Sequence, residues 1–80
     1  MKLKIGKLTT LDGLPTGSLF LNKDKTCLAL KSEYRTDKGA VEAYIVGSGE
    51  FFWGGTSDPM KQLMVEVWEV SVKDKKGNLE

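Results

Sequence analysis

The sequence has no histidine, one cysteine and two prolines. Each shortage closes off a class of function. Without histidine, the commonest general base, zinc ligand and near-neutral proton switch are missing. With Cys27 alone, no intramolecular disulfide and no CxxC redox pair can form, so a disulfide-stapled secreted scaffold is excluded. Cys27 lies in the apolar string Thr26-Cys27-Leu28-Ala29-Leu30 and reads as a small buried hydrophobe, with no base nearby to activate it. There is no HExxH and no DxDxDG loop, so neither a zincin nor an EF-hand fits, and no metal or cofactor is expected. No apolar run approaches the roughly 20 residues of a membrane span. The opening Met1-Lys2-Leu3-Lys4-Ile5 alternates and lacks the continuous apolar core of a signal peptide. A cytoplasmic protein without membrane contact is the expectation.

Charge of one sign is also lacking. The net charge is +1, against a dedicated nucleic-acid binder, which carries a strong basic excess. The charges are unevenly placed, however. Residues 1–38 hold eight Lys or Arg against four Asp or Glu, and residues 39–72 hold one against five. A locally basic face is therefore allowed. Paired carboxylates for glycoside-type chemistry would have to come from Glu33, Glu42 and Glu50. They read as solvated strand residues in a chain too small to build an obvious cleft, and no enzyme is expected.

What the chain does have is β-type alternation. Eighty residues make one domain, read as residues 1–78, with Leu79-Glu80 as a cloning remnant. Such a domain buries only about 60% of its unfolded surface and is marginal in stability. Leu3 and Ile5 alternate with Lys2 and Lys4, a short first strand. Leu14-Pro15-Thr16-Gly17 reads as a type I turn, with proline second and glycine fourth. Residues 18–21 are a strand and residues 22–25 a polar turn. In residues 26–34, Leu28 and Leu30 share one face, and Ala29, Lys31 and Glu33 the other. Thr36-Asp37-Lys38-Gly39 is a hairpin turn. The return strand, residues 40–46, sets Val41, Ala43 and Ile45 against Glu42, Tyr44 and Val46. Gly47-Ser48-Gly49 breaks it, and this loop and Gly54-Gly55-Thr56-Ser57 lack phosphate-loop spacing and read as turns. Glu50-Phe51-Phe52-Trp53 is a short strand. Ser57 or Asp58 can cap one helical turn that has Pro59 first and reaches Leu63. In the last strand, residues 64–72, the apolar phase shifts between Val67 and Trp68, which reads as a β-bulge or a bend around a barrel corner.

The expected fold is all-β: a small antiparallel barrel or strongly bent sheet of five to six short strands, preferably SH3-like. Seven aromatic rings exceed what so small a core holds. Phe51 and Trp53 point one way and Phe52 the other, so one side needs a loop, a second subunit or a ligand to cover it. Tyr34 and Tyr44 flank the hairpin beside Lys31 and Arg35. Tyr, Trp and Arg are enriched at contact hot spots. The candidate binding residues are Lys31, Tyr34, Arg35, Tyr44 and Trp53.

Three strings, Leu14-Pro15-Thr16-Gly17-Ser18-Leu19-Phe20, Leu30-Lys31-Ser32-Glu33-Tyr34-Arg35 and the segment from Gly47 to Gly55, together resemble small proteins of tailed bacteriophages and prophages, with an L-P-x-G-x-x-F opening and an L-K-x-E-Y middle. The resemblance covers about residues 5–72 and implies a bacterial host cytoplasm during infection. It supplies no activity, so no catalytic residue carries over. The expected function is a small non-catalytic binding module, a phage-type accessory protein contacting a host or phage protein. One alternative is single-stranded nucleic-acid binding by a small barrel, with rings stacking beside Lys31, Arg35 and Lys38. Another is small-ligand capture at a subunit interface. Protein is the expected partner. A homodimer joined over Phe51-Phe52-Trp53 competes with a loop, residues 54–59, folding back over the rings. Nucleic acid ranks lower.

Overall fold

The computed structural model describes residues 2–73; the proposed remnant, Leu79-Glu80, lies outside the described residues. In chain order the elements are β1 (Lys2–Thr10), β2 (Leu19–Asn22), β3 (Leu28–Arg35), β4 (Val41–Ile45), α1 (Pro59–Leu63) and β5 (Glu66–Lys73). They form one antiparallel sheet in the order β1-β5-β2-β3-β4. The all-β antiparallel expectation holds, but the sheet is open: among the described residues, no strand pairing closes a barrel. Residues 50–52 add a minimal sixth strand outside β4. Tyr44 and Phe51 form a single bridge, flanked by Ile45 N–H to Glu50 O at 2.8 Å and Phe52 N–H to Ala43 O at 2.8 Å.

The core lies on one face of this sheet. Phe20, Ala29, Val41, Ala43 and Val67 project there and meet Leu11, Leu14 and Phe52. Phe20 and Phe52 touch edge to face, with centroids 5.0 Å apart at 81°. The helix forms as the sequence implies. Asp58 caps it by accepting the Met60 N–H at 2.9 Å, and Pro59 sits in the first turn, where its missing N–H costs nothing. Gly54 holds a left-handed φ of 72°. A Cβ there would sit 2.6 Å from Val65 Cγ2, so only glycine lets the chain pass this close to the approach to β5.

Two side chains close what the strands leave open. On β4, the N–H and C=O of Val41, Ala43 and Ile45 point outward, and residues 50–52 engage the Ala43 C=O and the Ile45 N–H but neither group of Val41. At Val41 the fully buried carboxamide of Gln62 takes over. Its Oε1 accepts the Val41 N–H at 2.7 Å, and its Nε2 donates to Val41 O at 3.0 Å and Phe52 O at 2.8 Å. The carboxamide thus stands in for a peptide unit and extends the ladder by one rung. From β3, Lys31 crosses the inner face. Its Nζ donates to the carbonyls of Leu11 at 2.9 Å, Asp12 at 3.2 Å and Leu14. That turn is itself stitched to the approach to β5 by Leu11 N–H to Val65 O and Asp12 N–H to Leu63 O, both 2.9 Å.

Several local expectations need correction. The proline turn lies one residue later than expected. Ser18 N–H bonds to Pro15 O at 3.3 Å, and Gly17 takes the third position with φ 81°, as in a type II turn. The reason is that the Gly17 N–H is engaged across the sheet by Lys31 O, at 2.7 Å. The hairpin over Thr36–Gly39 forms as read, with Gly39 N–H to Thr36 O at 2.9 Å. The expected bulge is not in β5 but in its partner: Ile5 faces Val70 and Leu8 faces Trp68, so β1 carries one extra residue. A Cβ at Gly6 would lie 3.0 Å from Glu69 Oε1. The apolar phase shift in β5 has another cause. The strand alternates regularly, and its apolar residues change from the inner face at Val67 to the outer face at Trp68 and Val70.

Candidate functional site

Directly opposed residues of an antiparallel pair project to the same face, and following the register across the outer face gives two apolar rows. One runs Leu8, Trp68, Leu21, Leu28. The other runs from edge to edge: Ile5, Val70, Leu19, Leu30, Tyr44, Phe51. No charged residue interrupts either row. Leu30 and Tyr44 are each 41% exposed, and Trp53 40%. Tyr44 and Phe51 pack edge to face at 5.8 Å, and the Phe51 and Trp53 rings lie tilted at 45° with centroids 4.5 Å apart. An antiparallel sheet ordinarily solvates one face with polar side chains. Here both faces are apolar.

The five sequence candidates separate. Tyr44 and Trp53 meet through Phe51 in this ring stack. Tyr34 does not join them, because β3 bulges. Lys31 faces Ala43 and Arg35 faces Val41, so the intervening stretch of β3 carries two more residues than that of β4. Tyr34 lies in this bulge, where its N–H bonds to Ser32 Oγ at 3.1 Å, and the residue is 63% exposed. Arg35 reaches the turn after β1, with Nη2 2.9 Å from Asp12 Oδ1 and Nη1 3.3 Å from Gly39 O. Lys31 is only 5% exposed, with its ammonium held by three carbonyls. Burial pushes that ammonium below its ordinary pKa, opposed by the Asp12 carboxylate and reinforced by Arg35. Neither cation stands beside the stacked rings.

The sequence reading missed Ile5, Leu19 and Leu30, and named Phe51 only in the homodimer alternative. Two signals pointed to them: leucines at 28 and 30 opposite the Ala29 and Lys31 face, and the change of apolar phase at Trp68. Comparison with protein-family models, with curated proteins and with solved structures finds no match. The site therefore rests on its own geometry.

Around it, polar groups are already engaged. Within the first row, Trp68 Nε1 donates to Lys23 O at 3.0 Å, and Lys25 Nζ lies 4.5 Å from the Trp68 ring centroid. A cavity of about 260 Å³ opens on the other side, between the 22–24 turn, Phe52, Gly54 and Gly55. Three of its polar side chains are engaged: Asn22 accepts the Thr26 and Cys27 N–H groups at 2.7 and 2.8 Å, and Lys23 pairs with Glu66 at 2.9 Å.

The Tyr44 hydroxyl donates to Glu42 Oε1 at 2.9 Å. That hydrogen bond raises the phenol pKa, with smaller help from desolvation and the carboxylate charge. A raised folded value stabilises the fold below the ordinary 10.0 and loses that contribution as pH climbs through the folded value. In a Tyr34→Phe protein, Tyr44 is the one remaining tyrosine. Its tyrosinate absorbance should have a midpoint above 10.0, and Glu42→Gln should bring it down. A midpoint indifferent to Glu42→Gln would refute the bond.

Proposed function

We propose that this chain is a small non-catalytic protein-binding module whose contact surface is the outer apolar face of the sheet. One observation carries the reading: the uninterrupted row from Ile5 to Phe51, which joins six strand segments. A face of this kind fits another protein's apolar surface, with aromatic side chains at its rim as anchors. Lys31 and Arg35 are engaged within the fold and Lys25 stands beside Trp68, so none of the three stands beside the stacked Tyr44, Phe51 and Trp53 rings, which weighs against single-stranded nucleic acid at that stack. The resemblance to phage proteins supports an accessory role in a bacterial cytoplasm, contacting a host or phage protein. No helix among the described residues is long and apolar enough to cross a membrane.

A photo-crosslinking amino acid in place of Tyr44, in protein expressed in bacterial cells, tests this. It should yield discrete protein adducts under light. The same group in place of Lys38, at the hairpin tip, should yield few. Equal or absent adducts at the two positions would remove the outer face as the contact surface.

A further inference from the structure

We infer that the outer face receives a second copy of this chain, packed sheet on sheet about a two-fold axis. The inference rests on the reading of that face as a contact surface and names its occupant.

Area is the first argument. Leu3, Ile5, Leu8, Leu30, Tyr44 and Trp53 are each between 37% and 50% exposed. At roughly 200 Å² for a fully exposed large apolar side chain, they leave on the order of 500 Å² of apolar surface. The half-buried leucines and rings between them bring the patch toward the roughly 800 Å² that each partner of a standard interface contributes. A typical monomer's largest apolar patch is about 300–600 Å², so this face is large for a domain of 80 residues.

Charge is the second. An isologous contact places a surface against itself, so like charges must stay out of its middle. The longer row satisfies that condition. Lys4 and Glu50, at the two lateral edges, alternate with Ile5 and Phe51 and so point to the other face of the sheet. Aligned sheet packing accommodates such an apolar contact.

Backbone pairing at an edge is the competing route to a dimer, and the chain obstructs it. The free edge of β1 carries lysines and the bulge opposite Glu69, both devices that discourage edge-to-edge addition. At the opposite side the extra strand is only residues 50–52.

Sedimentation equilibrium from low to high micromolar concentration is the test. The wild-type mass should rise from 8.8 kDa to twice that value. Leu30→Glu, at an exposed position in the longer row, should remain folded by circular dichroism and stay at 8.8 kDa over the same range. Lys4→Glu, on the opposite face of the sheet, should dimerise as the wild type does. A wild-type mass of 8.8 kDa throughout, or a dimer that Leu30→Glu leaves intact, overturns the inference. If the wild type is monomeric while the crosslinker at position 44 captures another polypeptide in cells, the contact-surface reading stands without self-association. If the crosslinker also fails, both fall.

Discussion

Replacing Gln62 by alanine is expected to remove most of the folding stability, lowering the melting temperature by about 20 °C. The side chain is completely buried and makes three hydrogen bonds to backbone groups of Val41 and Phe52. Alanine leaves one N–H and two carbonyls without partners, at roughly 1–3 kcal/mol for each group that water cannot reach. A loss of about 4 kcal/mol approaches the whole stability of a small domain. Gln62→Glu separates hydrogen bonding from packing. Its carboxylate keeps the volume but cannot donate to either carbonyl. Burial would raise that carboxyl's pKa, so the variant should gain stability as pH falls below neutrality, when the carboxyl regains a proton to donate. Thermal melts at pH 7 and pH 5 measure both effects. An alanine variant melting within a few degrees of wild type would show that the rung contributes little.

Lys31→Met comes next, with an expected loss of about 2–3 kcal/mol from the three carbonyls its ammonium holds. Methionine matches the length of lysine and preserves the packing of its stem, so the loss reports on the ammonium. The pH dependence runs opposite to that of a surface ion pair. Burial lowers the folded pKa of Lys31 below 10.5. Between that lowered value and 10.5 the unfolded chain binds more protons than the folded one, so this residue's contribution to stability rises with pH. Lys23, raised by its bond to Glu66, and Tyr44, raised by Glu42, lose stability over alkaline pH. Both do so equally in wild type and variant. The stability difference from urea denaturation should therefore widen as pH approaches 10.5. A methionine variant as stable as wild type at neutral pH would refute the role of the ammonium.

Elements governed by short-range chemistry were legible in the sequence. The hairpin over Thr36–Gly39, the Asp58 cap with Pro59 behind it, and the alternation of β4 depend on residues within four positions of one another. The side of the sheet that would be core was not legible. In β3 the leucines face out and the small Ala29 and a lysine face in, because Phe20 and Phe52 already fill the space beneath Ala29 and because the turn after β1 offers Lys31 three carbonyls. Those partners are 17–20 residues away in sequence. The same limit separated Tyr34 from Tyr44. Flanking a hairpin suggested one cluster, but the β3 bulge depends on a pairing register that alternation alone does not specify. Charge and aromatic type pointed to Lys31 and Arg35 as contact residues, whereas both hold the fold's own loops. The leucines that complete the outer row are chemically ordinary and became visible only through the register.

The strand order has a consequence for how the chain is made. β5 is the last strand described, yet it lies between β1 and β2, and among the described residues β1 pairs with β5 alone. During synthesis, at roughly 5–20 residues per second, β1 emerges first and has no native partner until β5 has been translated. The β2–β3–β4 meander can pair as it leaves the ribosome; β1 must wait. Throughout that interval a nascent chain exposes Leu3, Ile5 and Leu8 on an unpaired segment, and the lysines interspersed among them are its safeguard against pairing with a neighbouring chain. Translation that stops within β5 would leave a chain unable to bring its two halves together, a marked target for degradation.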